Sequence, residues 1–189
     1  MFIKIVAFLL ATCLIGSSAL HAEDSSSVRF PKTLKVGETE FTLQGVGGRR
    51  KFFVEVYLGG LYLSKKSTDA KVLVKVNEAM AIRLLITSNL ITGEKMAEAT
   101  REGFEKSTGG NVASINAQVD KFIAVFQESI EKNDVYNIVY LPEEGVLVYK
   151  NDQLKIKIKG LEFKQALFGI WLGESPVDGN LRTGMLGEE

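Results

Sequence analysis

Apolar and polar residues change period twice along this chain. Residues 33–35 and 38–43 alternate around Val36-Gly37 and read as a small hairpin. Residues 50–63 form a long β-branched and aromatic run broken only at Gly59-Gly60, which reads as a bulge. Residues 81–88 set Ile82, Leu84 and Ile86 against Arg83 and Thr87, the alternation of a half-buried strand. The period then becomes helical. Thr92 can cap a helix through about Lys106, and Ser107 to Asn111 breaks it. Ile115, Val119, Phe122, Ile123, Phe126 and Ile130 recur on one side of a second helix, with Asn116, Asp120, Lys121 and Gln127 on the other. Residues 135–141, 145–149 and 154–159 return to strand, separated by Pro142-Glu143-Glu144 and Asn151-Asp152, and predict an antiparallel meander. A helix over residues 161–171 ends at Gly173, and Asp178 starts a last one. Strands, two helices, three strands and two helices make an α+β order.

The first residues have a different pattern. Lys4 precedes an uncharged run from Ile5 to Gly16, and Ser17, Ser18 and Ala19 lead to His21 and Ala22. A basic start, an apolar stretch of about a dozen residues and a small-residue end predict a secretory signal peptide over residues 1–22. Cleavage after Ala22 is preferred, with Ala19 as the alternative; Thr12 fits poorly before Cys13 as a lipoprotein site. The run is shorter than the roughly 20 residues a membrane span needs, so no stable membrane anchor is expected. The protein is expected to be exported, periplasmic or secreted, with residues 23–189 as one domain and a monomer as its state.

This leader changes the chemistry open to the rest. The single cysteine, Cys13, and the single histidine, His21, both lie inside it. The mature domain therefore has no disulfide, no Cys/His metal site and no histidine-based nucleophile, and neither a metal nor a cofactor is expected. Without Lys4 the mature chain carries 22 basic and 23 acidic side chains, a net charge of 22 − 23 = −1. That balance gives no electrostatic footprint for nucleic acid or for an anionic membrane.

Gly45-Val46-Gly47-Gly48 lacks the following helix that a phosphate loop requires and reads as a tight lead into a strand. If residues 49–57 are one strand, Arg50, Phe52, Val54 and Val56 face the core, and Arg49, Lys51, Phe53, Glu55 and Tyr57 face the other way. The second face is either an ordinary solvated sheet surface or a cleft where an arginine meets an anion and aromatic rings cover an apolar body. On the helix after Thr92, Met96, Ala99, Thr100, Gly103 and Phe104 point toward the partner layer, where small residues suit close packing or a ligand space. Trp171 reads as a core anchor.

Residues 43–63 (LQGVGGRRKFFVEVYLGGLYL) resemble the bacterial chalcone isomerase-like family. The resemblance continues at 116–122 (NAQVDKF), 134–136, 140–142, 166–173 (ALFGIWLG) and 176–178, nearly the whole mature chain in order. It implies an open-faced β-sandwich, a large antiparallel sheet with a helical layer and a ligand cleft between them. In plant chalcone isomerases an arginine on this strand binds an oxyanion with help from a threonine and a tyrosine; related plastid fatty-acid-binding members hold a carboxylate with the arginine and a tyrosine. Arg49 matches the arginine, while the threonine position carries Tyr57 and the tyrosine falls near Met96. With those hydroxyls displaced, the expected function is non-catalytic binding of an apolar small molecule such as a fatty acid or other carboxylate. Arg49, Phe53, Tyr57, Met96 and Thr100 are the candidate ligand residues. The alternatives are an intramolecular lyase or isomerase on an enone, with Arg49 and Tyr57 as catalytic groups, and an interaction protein with a vestigial cleft.

Overall fold

The computed structural model describes residues 29–188, so the predicted leader and both candidate cleavage positions lie outside the described residues. Seven strands form one antiparallel sheet in chain order: β1 (Thr33–Val36), β2 (Thr39–Lys51), β3 (Val54–Leu63), β4 (Met80–Ile86), β5 (Val135–Leu141), β6 (Gly145–Lys150) and β7 (Gln153–Ile158). Helix α1 (Ala70–Lys75) joins β3 to β4, α2 (Gly93–Ser107) and α3 (Asn116–Ala124) join β4 to β5, and α4 (Leu161–Leu172) and α5 (Gly179–Leu186) follow β7. The element order is the α+β order that the period changes predict, and its arrangement is the large antiparallel sheet with a helical layer that the family resemblance implies.

Alternation sets the two faces of the sheet. Tyr57, Leu61 and Leu63 of β3, Ile82, Leu84 and Ile86 of β4, and Tyr136, Ile138 and Tyr140 of β5 pack with Phe104, Phe122, Phe163 and Phe168 of the helices in the main core. The residues between them are buried as well. Phe30, Phe41, Tyr62, Ala81, Leu85, Val139 and Leu147 make a second, smaller cluster on the opposite face. Residues 29–31 cross that face, pinned where Arg83 Nε donates to the Arg29 carbonyl at 2.9 Å and the Tyr62 hydroxyl to the Pro31 carbonyl at 3.0 Å.

The run over residues 50–63 is two strands, contrary to the sequence expectation. β2 continues through the glycine-rich segment to Lys51, Phe52 and Phe53 form the turn, and β3 starts at Val54. Phe52 sits at φ 57°, a left-handed backbone that aromatic residues rarely adopt, so composition reads as strand where the chain reverses. Phe52 is therefore not a core residue; it is 89% exposed. Gly59 and Gly60 pair regularly with Gly47 and Val46 and form no bulge. The register shifts instead between Leu43 and Gly45 and between Arg49 and Arg50, which leaves Gln44 and Val56 as the extra residues. The second helix is also shorter than its apolar pattern. It ends at Ala124, a 3-10 turn covers Val125–Gln127, and Ile130 packs on the core from beyond it.

The glycines of β2 are explained by α5. A Cβ on Gly47 would lie 2.4 Å from the Leu181 carbonyl oxygen, one on Gly45 2.3 Å from that of Gly184, and one on Gly184 2.6 Å from Gly47 Cα. Helix and strand thus meet backbone to backbone, a distance only glycine permits. Asp178 caps α5 through the amides of Asn180 and Leu181 at 2.9 and 3.1 Å, and it also accepts from the Arg50 amide at 3.3 Å. Gln44, bulged out of β2, donates to the Leu186 carbonyl at 2.8 Å at the other end of α5.

A buried cation holds the opposite side of the layer. Lys164 is 0% exposed, and its ammonium donates to the carbonyls of Leu73, Val74 and Val76 at 2.8, 3.0 and 2.8 Å. Those carbonyls lie in and just past the last turn of α1, where the helix leaves acceptors unpaired and favours positive charge. Burial nonetheless lowers the lysine pKa to about 8.

Two outcomes follow from this packing. Gly47→Ala is expected to lose about 3 kcal/mol in urea unfolding, because neither backbone can retreat. Gly179→Ala, where an added Cβ meets nothing within 4 Å, should stay within about 0.5 kcal/mol of wild type. For Lys164, the unfolded side chain holds its proton up to its ordinary value of 10.5 while the folded one releases it near 8. The unfolded chain then binds more protons in that window, so stability rises with pH from about 8. Above the ordinary tyrosine value of 10.0 the trend reverses, because burial raises Tyr57 and Tyr140 and lifts Tyr62 to about 12, and the folded state keeps those protons longer. Urea midpoints should climb between pH 8 and 10 in wild type and stay flat there in Lys164→Met.

Candidate functional site

A cavity of about 360 Å³ opens between the β2–β3 hairpin and the first half of α2. Its volume lies at the small end of the range of roughly 300–1,000 Å³ for ligand sites. Val54 and Val56 of β3, Ile91 before α2, and Met96 and Ala99 of α2 supply apolar wall, and Arg49, Lys51 and Lys95 supply charge. None of these lining side chains carries a hydroxyl.

Each wall has a local cause. Thr92 caps α2 by accepting from the Lys95 amide at 3.3 Å, which fixes the turn carrying Lys95 and Met96. Arg49 lies two residues beyond Gly47 on the helix-facing side of β2, paired across the ladder with Tyr57. α5 begins at Gly179 with its cap beside Arg50, so Arg49 emerges just past the end of that helix. At the neighbouring bulge, the Val56 carbonyl accepts from the Thr87 amide at 3.1 Å and the Glu55 carbonyl from the Thr87 hydroxyl at 3.0 Å. The irregular backbone is thereby satisfied.

Among the described residues, no carboxylate lies within ion-pair distance of Arg49, Lys51 or Lys95; the five ion pairs involve other groups. Lys95 Nζ donates to the Leu90 carbonyl at 3.2 Å. Arg49 stands over the Tyr57 ring at 5.6 Å. Three cations around an apolar space attract an anionic group joined to an apolar body.

Of the residues picked out by sequence, Arg49 and Met96 line the cavity. Tyr57 is 1% exposed and lies in the wall behind Arg49, where its hydroxyl accepts from Trp171 Nε1 at 3.0 Å. Burial pushes its phenol above the ordinary value, against the opposing pull of the Arg49 cation and the Trp171 hydrogen bond, so it stays neutral and keeps its proton. Thr100 is buried on α2, one residue past the lining Ala99, and is not itself part of the lining. Phe53 is 100% exposed at the hairpin tip and lies outside the lining. Lys51 and Lys95 were not singled out in the sequence. A lysine in a strand run and another in the first turn of a helix look like solvated surface until the fold brings them to one opening.

Two other hollows are less suited to a ligand. One of about 330 Å³ lies between the start of α2 and Phe126 to Ser129. The other, about 440 Å³, collects Lys71, Lys75, Lys106 and Arg182, but its charges are accounted for. Lys75 and Lys106 sit in the last turns of α1 and α2, where the helix dipole favours cations, Lys71 pairs with Glu174 at 3.1 Å, and Arg182 Nε donates to the Leu172 carbonyl at 3.2 Å.

The comparisons with known proteins agree with this fold. The family model described as chalcone isomerase-like matches residues 22–187. Among solved structures, a fatty-acid binding protein of Arabidopsis thaliana is similar to this chain at a TM-score of 0.65 and 20% identity, over 83% of this chain and 90% of that one. At that identity the likeness is one of fold. No curated protein sequence matches the chain.

The Tyr57–Trp171 contact can be tested by a double-mutant cycle. Tyr57→Phe should cost about 1–3 kcal/mol in urea unfolding, because it leaves the buried Trp171 N–H without an acceptor. Adding Trp171→Phe should cost less than the sum of the two single changes, since neither variant ring then strands a polar atom.

Proposed function

The chain belongs to the chalcone isomerase-like family, and from that footing we propose that it is an exported, non-catalytic binding protein for an apolar carboxylate of modest size. The observation that carries this reading is the cavity with Arg49, Lys51 and Lys95 at its wall and no carboxylate within ion-pair distance of them among the described residues. A cation left beside an apolar space favours a ligand that brings both an anionic end and a hydrophobic body. Val54, Val56, Ile91 and Met96 cover the body, and Arg49 and Lys95 hold the carboxylate. Binding is favoured over isomerisation by the absence of a hydroxyl from the lining, Tyr57 being buried behind Arg49 and not at the cavity surface. An enone isomerase needs donors at the oxygen that gains charge, and losing one such donor costs about two to three orders of magnitude in rate. The export proposal rests on the basic, apolar and small-residue sequence of residues 1–22.

The test is to express the full-length chain in a bacterium, separate the periplasm from the cytoplasm, and measure the intact mass and the denaturing extract of the purified protein. A form beginning at Glu23 outside the cytoplasm, carrying a carboxylate that is absent from Arg49→Ala, is the expected result. Affinity for that carboxylate should fall about tenfold or more in Arg49→Ala. Empty wild type with unchanged melting across a panel of fatty acids and flavonoids would sink the binding reading. An uncleaved cytoplasmic chain would sink export.

A further inference from the structure

The hairpin that walls the cavity ends in two exposed phenylalanines. Phe52 is 89% and Phe53 100% exposed, and Val54 at 41% and Leu90 at 56% continue the apolar patch. Neither ring belongs to the core of this domain. The turn also stores strain, because Phe52 occupies a left-handed backbone at φ 57° where glycine is at ease, a cost of about 1–2 kcal/mol. Strain of that kind persists where function over-rides stability.

Basic side chains outnumber acidic ones behind the tip. Arg50 and Lys51 end β2, and Lys95 projects from the first turn of α2 toward the Leu90 carbonyl. Among the described residues, none of these joins an ion pair. The nearby acids are accounted for in part: Asp178 accepts from the α5 amides and the Arg50 amide, and Glu55 faces Arg50 across the ladder. The whole-chain balance of charge therefore conceals a local basic excess, with Arg49, Arg50, Lys51 and Lys95 against Glu55 and Asp178.

The geometry points to the hairpin tip as a docking element for an anionic phospholipid bilayer, with Phe52 and Phe53 inserted among the acyl chains and Arg50, Lys51 and Lys95 at the headgroups. Aromatic rings below a ring of cations are the arrangement that an interface of apolar tails under negative headgroups accepts. The tip is convex and narrow. Two phenylalanines bury at most about 200 Å² each, well short of the roughly 800 Å² per partner of a stable protein interface, and they frame no groove for a helix or strand. A bilayer requires only that the rings enter it. Docking here brings the cavity mouth, lined by Phe52, Val54 and Leu90, against the membrane surface. This inference goes beyond ligand binding and stands without it.

Flotation of the ligand-free protein with vesicles tests it, using phosphatidylcholine alone and phosphatidylcholine mixed about two to one with phosphatidylglycerol. Wild type and Phe52→Ser/Phe53→Ser are prepared with the same N-terminus, so any contribution of residues 1–28 cancels. Wild type should float with the anionic vesicles and weaken with salt, and the double variant should bind about a hundredfold less at unchanged melting temperature. A second readout uses Phe53→Trp, in which the emission of the introduced indole should shift to the blue on anionic vesicles and be quenched by acyl chains carrying bromine. Equal flotation of wild type and double variant, or an indole emission in Phe53→Trp that vesicles leave unmoved, overturns the proposal. Dimerisation of wild type through the tip, lost in the double variant and without flotation, would reassign the patch to self-association.

Discussion

The contact between the α5 backbone and the glycines of β2 is the constraint on which the rest of the site depends. With Gly45, Gly47 and Gly184 a helix lies directly on a strand, and any side chain at those positions would force the layers apart. The contact ties the end of the chain to its second strand and completes the helical layer over the sheet. It also sets where that layer stops. α5 begins beside Arg50, so the last two residues of β2 and the turn after them extend past α5. Arg49 is the first side chain on that face with room to point at anything other than α5.

The cations of this domain fall into two groups, and the difference separates structure from function. Lys164 is wholly enclosed, yet three carbonyls at the end of α1 receive its protons. Lys150 is held in the same way by Asp134 at 3.1 Å and by the Ser129 carbonyl. These groups offset the cost of their own burial with local hydrogen bonds. Arg49, Lys51 and Lys95 have no such carboxylate partners among the described residues and border an apolar space. Arg49 is half-buried, whereas Lys51 and Lys95 are exposed to water; the proposed ligand carboxylate is the anion that would pair with them.

Some of this was legible in the sequence for good physical reasons. The meander of β5 to β7 could be read because Asn151-Asp152 tolerates positive φ and the strands alternate; both residues do adopt that backbone, at 49° and 65°. Thr92 as the cap of α2 followed from its short hydroxyl side chain before a helical period. The Phe52-Phe53 turn could not be read, because aromatic residues favour strand and the reversal is imposed by the pairing of β2 with β3. Helix α1 was missed for a related reason. Six residues are too few to show a period, and their helix is held by Asp69 at one end and by Lys164 at the other.

For the site, the sequence by itself determined the arginine, the apolar character of its surroundings and the family pattern that joins them, since these are carried by residue types at fixed spacing. It also determined that the mature domain is without cysteine and histidine if residues 1–22 are removed. Only the tertiary structure decided that Tyr57 turns its hydroxyl to Trp171, that Phe53 points to solvent, and that Lys95 arrives beside Arg49. The first two placements depend on one bulge at Val56 and one turn at Phe52, and the third on the Thr92 cap of α2. A single extra residue in a strand reverses which side chains share a face, and no local period records it.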